Sequence, residues 1–182
     1  MSRIGRYVSI VYMEIAVLPK GGVRVKGKQA TLLVGTSDST SGANALLLYA
    51  FDEKEEPIKN GILVVDSPGD YEVSSVKIST YRNAGDLVHS FSMDGMDVVI
   101  GKLAPLERMQ AKLGEHQIVV VFADTVVDAS FATNLVTNTL VLYGDKAKEV
   151  AEKAAKGVLQ ELPKYSVTLD KLPAEVETVL LS

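Results

Sequence analysis

The chain contains no cysteine. Disulfides, thiolate zinc sites, iron–sulfur clusters and cysteine nucleophiles are excluded together. It has two histidines, His89 and His116, so no metal centre that needs three imidazoles can form. Aromatic residues make up 6% of the chain and tryptophan is absent. The aromatics are not interleaved with Lys and Arg, which disfavours a stacking platform for single-stranded nucleic acid. A surplus of one charge is also missing. The formal net charge of −4 is modest and argues against a basic nucleic-acid binder. The longest apolar runs, Ala45–Phe51 and Ile118–Ala123, stop far short of the ~20 residues a helix needs to cross a bilayer. Met1–Tyr12 holds Arg3 and Arg6 but no sustained apolar stretch of the export type. The expectation is a cytoplasmic protein with no nucleic-acid or membrane partner.

What is present is an ordinary globular mixture, 47% hydrophobic and 23% charged over 182 residues, which suits one core. The first two-thirds read as short strands. Val8–Leu18, Val23–Val25 and Ala30–Val34 form an antiparallel meander broken at Gly21-Gly22 and Gly27-Lys28-Gln29. Ala45–Phe51 and Ile62–Val65 are continuous apolar runs that suit strands buried on both faces. Asp94-Gly95 between Leu87–Met93 and Met96–Ile100 is a strong hairpin signal. Pro105–Leu113 has helical spacing and stops at Gly114. Ile118–Phe122 and Thr139–Tyr143 are buried strands, with a short helix from Asp128 to Val136 between them. A second helix starts at Asp145, with Ala147, Val150, Ala151, Ala154 and Val158 as its apolar stripe. Ser166–Thr168 and Glu177–Leu181 close the chain as strands. Two sheets covered outside by helices would bury all of these surfaces.

The segment Ile62-Leu63-Val64-Val65-Asp66-Ser67-Pro68-Gly69-Asp70-Tyr71-Glu72-Val73 resembles the "hxxDGPGEYEhxGVxI" string of small metallo-β-lactamase-fold hydrolases, a group that includes ascorbate-lactonase-like proteins. Met13–Leu18 with Val23–Lys28 resembles that group's opening "MxIxWLGHSCFxIxGK". Lys171–Leu180 resembles its closing strand. The resemblance implies an α/β (α+β) fold of four layers, an αββα sandwich of two mixed sheets with helices outside. It also implies one domain over 13–182, with 1–12 as an N-terminal extension or the product of an upstream start codon. Residues 7–12 are apolar enough to prolong the first strand or cover a partner.

Active members of the group carry a di-metal site at one edge of the sandwich, and the ligand pattern fails here. The "GHS" position falls near Pro19-Lys20-Gly21. The "HxHxDH" loop falls on Ala50-Phe51-Asp52-Glu53-Lys54-Glu55, with no histidine. The ligand Asp falls at Gly101-Lys102, and the final His near Tyr143-Gly144. Metal hydrolysis needs a bound water acidified toward pH ~7, and imidazoles to hold that metal are lacking. No metal and no cofactor is therefore expected. Asp52, Glu53, Glu55 and Glu56 read as a solvated acidic loop rather than a hard-cation site.

Five residues are candidates should the chain be an enzyme. Asp52, Asp66, Asp70 and Glu72 could serve acid–base chemistry, and His89 could be a base. The blander readings are carboxylates that accept backbone N–H bonds at turns and a histidine packed on one face with Leu87, Phe91 and Met93. His116, in Gly114-Glu115-His116-Gln117, reads as a turn residue reaching solvent. A serine triad built on Ser67, Ser74 or Ser75 would have to recruit a distant histidine. Lys20-Gly21-Gly22 and the loop at 36–42 lack phosphate-loop spacing.

The leading expectation is a non-catalytic binding or scaffold module that homo-oligomerises, as a dimer or higher. The alternatives are a hydrolase whose chemistry has moved to carboxylates or another non-standard site, and a structural subunit paired with an active paralogue. One observation separates them best: whether a pocket survives at the old metal edge or is filled by Tyr49, Phe51 and Tyr143.

Overall fold

The computed structural model describes residues 12–36, 42–51, 58–59, 61–125, 137–154 and 157–182. Among the described residues, fifteen strands lie in two mixed sheets. The first sheet has the order β14-β1-β2-β3-β4-β6-β5. Its members are β1 (Met13–Val17), β2 (Val23–Lys26), β3 (Thr31–Val34), β4 (Ala45–Leu47), β5 (Ile58–Lys59), β6 (Ile62–Val65) and β14 (Lys164–Val167). The second has the order β13-β15-β12-β11-β10-β9-β8-β7. Its members are β7 (Gly69–Val73), β8 (Val76–Asn83), β9 (Asp86–Met93), β10 (Met96–Lys102), β11 (Ile118–Phe122), β12 (Thr139–Tyr143), β13 (Leu159–Leu162) and β15 (Glu177–Leu181).

Strand pattern decides burial. β1 to β3 form the expected antiparallel meander, with Met13, Ile15, Val23 and Val25 turned inward. In the second sheet, β10, β11, β12, β15 and β13 run parallel. Parallel strands covered on both faces need apolar residues at nearly every position. Ile118, Val119, Val120 and Val121 of β11 are accordingly all buried. One core fills the space between the sheets, from Met13 and Leu32 to Phe91, Val120 and Val179. A second core lies outside the eight-stranded sheet. There α1 (Leu103–Leu113) and α2 (Ala147–Ala154) set Leu103, Leu106, Met109, Val150 and Ala151 against Val119, Val121 and Leu142. Leu33, Leu46 and Ile62 form a third, small cluster on the seven-stranded sheet.

Several expectations are met and some are corrected. The Asp94-Gly95 hairpin is present, with both residues at positive φ. The Asp94 carboxylate also accepts the Lys28 N–H at 3.0 Å, tying a turn of the other sheet to the hairpin tip. α1 begins at Leu103 rather than Pro105, so Pro105 sits in the first turn, where its missing N–H costs nothing. Ala45–Phe51 is not one strand. β4 ends at Leu47, and the chain then crosses to the other sheet, where Leu87 N–H donates to Tyr49 O at 2.8 Å and Phe51 N–H to Gly85 O at 3.0 Å. The helix from Asp145 does not reach Val158. Gly157, at φ +70°, turns the chain, and Val158 leads into β13, an unanticipated strand. The helix expected at Asp128–Val136 and the N-terminal extension over 1–11 lie outside the described residues. Among the described residues, no helix is long and apolar enough to cross a membrane.

Candidate functional site

The C-terminal ends of β10, β11 and β12 stand side by side, with Lys102 level with Phe122 and Phe122 level with Tyr143. The crossing after β4 brings Tyr49 to the same place. Phe122 stacks on Tyr49 with ring centroids 5.6 Å apart and planes within 2°. It meets Tyr143 at 5.2 Å and a 31° tilt. The hydroxyls of Tyr49 and Tyr143 share a hydrogen bond. Both tyrosines are buried. Burial first, and for Tyr49 the neighbouring Tyr143 second, pushes both phenols above the ordinary tyrosine range, so they stay neutral. Two glycines make room. A Cβ on Gly35 would overlap the Tyr49 ring, and one on Gly144 would lie 2.8 Å from the Phe122 ring. The loops behind are fixed by the backbone, with Ala123 N–H on Tyr143 O at 2.8 Å and Lys146 N–H on Ala123 O at 3.0 Å.

Beside this aromatic plug, the Lys102 ammonium donates to Asp86 at 2.9 Å and lies 4.0 Å from Asp124. The three side chains are about a third exposed, so the ion pairs contribute at most ~1 kcal/mol each. Filling the edge with rings is the larger effect, since removing one large buried ring from a core costs ~3–5 kcal/mol. Phe51 is not part of the plug. It lies under the Arg82 guanidinium, 3.8 Å from ring centroid to charge, and Phe122 takes the place expected for it.

The other candidate residues lie apart. Asp52 is outside the described residues. Asp66 is buried at the end of β6 in the first sheet, whereas Asp70 and Glu72 lie on β7 in the second. Asp70 accepts the Ser79 hydroxyl at 2.7 Å. Ser67 bonds Tyr71 and Ser74 bonds Asn44. His89 is fully buried, as its face predicts. Its Nε2 donates to Leu48 O at 2.8 Å, which leaves Nδ1 to accept from the Thr80 hydroxyl at 2.9 Å. Burial pulls its pKa down to about 4, so the ring is neutral at pH 7. His116 does not simply reach solvent. It is half-buried, with Nε2 2.8 Å from Ser90 Oγ. It lines a cavity of about 420 Å³ together with Asp97, Gln117, Thr137 and Asn138. Burial lowers its pKa, against the opposing influence of Gly114 and Asp97. Phe122, Asp124 and the Ser90–His116 pair escaped the sequence reading. The available signal for the first two was their place at the end of a buried parallel strand and just past it.

Among the described residues, no group of three or more His, Asp and Glu side chains is placed to hold a metal ion. No family model and no curated protein matches the sequence. Solved structures do match. A protein of the metallo-β-lactamase superfamily from Thermotoga maritima superposes with a TM-score of 0.67 at 15% identity, covering 93% of this chain and 98% of its own. The metallo-β-lactamase fold protein YhfI from Bacillus subtilis gives 0.57 at 8% identity, over 93% and 96%. The metallo hydrolase Igni18 from Ignicoccus hospitalis gives 0.52 at 9% identity, over 86% and 97%. The chain has the metallo-β-lactamase fold. Within that fold, the positions that the motif resemblance assigns to ligands at Gly101-Lys102 and Tyr143-Gly144 come together with Tyr49, and they carry an ammonium and two phenols.

Proposed function

We propose that this chain is a non-catalytic module of metallo-β-lactamase fold, acting as a binding or scaffold protein that self-associates. The observation that carries this reading is the plug of Tyr49, Phe122 and Tyr143, with Lys102 beside it. Neutral phenols and an ammonium are not zinc ligands, and the two nearby carboxylates, Asp86 and Asp124, face the Lys102 ammonium. Among the described residues, the rings of Tyr49, Phe122 and Tyr143 pack against one another at this edge.

The purified protein is expected to carry well under one equivalent of zinc, iron or manganese by elemental analysis. Phosphodiester, lactone and β-lactam substrates are expected to turn over at background rate, with or without added metal. One equivalent of bound metal, or metal-dependent hydrolysis, would overturn the reading.

A second reading is a hydrolase whose chemistry has left the old edge. The Ser90–His116 hydrogen bond beside a cavity favours it, since a serine within 3 Å of a neutral imidazole is the first requirement for a serine nucleophile. In that case a fluorophosphonate labels wild type and fails to label Ser90→Ala. Absence of labelling in wild type removes the second reading and leaves the first.

A further inference from the structure

β13 pairs with β15 alone among the described strands, and no other described strand lies along its second side. Thr178 N–H donates to Val158 O at 2.9 Å and Ser182 N–H to Leu162 O at 3.2 Å. In a parallel ladder, alternate residues face the same neighbour. Val158, Gln160 and Leu162 therefore bond toward β15, and the N–H and C=O groups of Leu159 and Glu161 point outward from the sheet. Val158 and Leu159 are 65% and 46% exposed, two of the few large apolar side chains in the described residues that face solvent so openly.

Edges of this kind recruit another strand unless the chain guards them. The other three edges of the two sheets, as the described strands form them, are guarded. β5 has two residues. β7 carries Asp70 and Glu72. β14 is entered through Pro163 and begins with Lys164. β13, Leu-Gln-Glu-Leu, has a single charge and two leucines.

We propose that the open edge of β13 is where two copies of this chain pair, antiparallel, about a two-fold axis at Gln160. The inference rests on the self-association proposed above and names its surface. Outward-pointing residues must meet outward-pointing residues, so the register has few choices. An axis at Glu161 sets that carboxylate against its own copy, which is destabilising. An axis at Leu159 draws Gly157 into the ladder, and its φ of +70° is incompatible with a strand. An axis at Gln160 avoids both. Leu159 and Glu161 then exchange both main-chain bonds with the partner's Glu161 and Leu159. On one face, Val158 meets the partner's Leu162 on either side of a Gln160 amide pair. That face continues into a groove of about 500 Å³ lined by Gln160, Leu162, Tyr12, Tyr165, Lys171 and Glu177, so the partner's Val158 covers apolar surface at its mouth. The eight-stranded sheet runs on through the axis into its copy.

The lack of cysteine makes a direct test clean. Gln160 faces its own copy at a non-hydrogen-bonded position, where Cα atoms lie about 4.5 Å apart, within disulfide reach. Gln160→Cys is expected to form a disulfide dimer in high yield in a glutathione redox buffer. Lys77→Cys, near the guarded edge of the same sheet, is expected to stay monomeric on a non-reducing gel. Wild type is expected to scatter light as a dimer at micromolar concentration. Glu161→Pro, which removes an outward N–H and no bond to β15, is expected to scatter as a monomer that still unfolds cooperatively. A wild-type dimer in which Gln160→Cys links no faster than Lys77→Cys overturns this surface and leaves self-association standing. A wild-type monomer overturns both.

Discussion

Acidification from pH 7 to pH 4 is expected to remove about 3 kcal/mol of folding free energy through His89 alone. The ring is fully buried between Thr80 and the Leu48 carbonyl, on the strand that backs the aromatic plug. Its pKa falls to about 4 in the folded chain from the ordinary histidine value of 6.5. The folded state favours the neutral form. Its contribution is complete above pH 6.5, shrinks as pH falls from 6.5 toward 4, and is gone below. Glu14 acts in the same direction. A hydrogen bond from Lys164, and then one from Arg24, holds its carboxyl below the usual range, so acid weakens that contact too. Urea unfolding at pH 7, 5.5 and 4 reads the slope. In His89→Gln, whose amide N–H replaces Nε2–H, the slope between pH 6.5 and 4 is expected to flatten to the carboxylate share. Equal slopes in wild type and variant would mean that His89 is not buried neutral.

Tyr143→Ala is expected to cost about 3–5 kcal/mol, the range for deleting a large buried ring. Tyr143 is fully buried and touches Phe122 on one side and Tyr49 on the other. The hydroxyl pair gives a sharper result. Tyr143→Phe leaves the Tyr49 hydroxyl buried without its partner and is expected to cost about 1–3 kcal/mol. Tyr49→Phe is expected to cost a similar amount. The double variant removes both polar atoms and keeps the rings, so it should recover most of the loss. Chemical denaturation of the four proteins tests this. A double variant as unstable as the sum of the two singles would show that each hydroxyl has another partner or water. The cycle also bears on function, because a plug this costly to open is a fixed part of the core rather than a gate.

Local chemistry was readable where local physics dominates. Asp94-Gly95 names its own turn, since both residues tolerate positive φ. The valines of β11 name a strand covered on both faces. The helical stripe of Ala147, Val150 and Ala151 is buried as its spacing demands. β13 was not readable. Leu-Gln-Glu-Leu has no strand propensity to speak of, and it is a strand because β15 lies beside it. The same limit applies to the site. The absence of histidine at the ligand positions could be read directly from the sequence. That Phe122, not Phe51, fills the edge depends on where β4 ends and how the chain crosses to β9, which is a long-range property. Ser90 and His116, 26 residues apart, meet because β10 pairs with β9 on one side and β11 on the other, which is also a long-range property.

One hydrogen bond of the first sheet has a consequence for how the chain reaches this state. Glu14 of β1 accepts from Lys164 of β14, 150 positions further along the chain. Until residue 164 arrives, β1 has only β2 beside it. Bringing the two ends of that loop together costs an entropy of about 4 kcal/mol before any contact repays it. The first strand can therefore pair on that side only with a segment made near the end of the chain, a non-local pairing of the kind that slows folding.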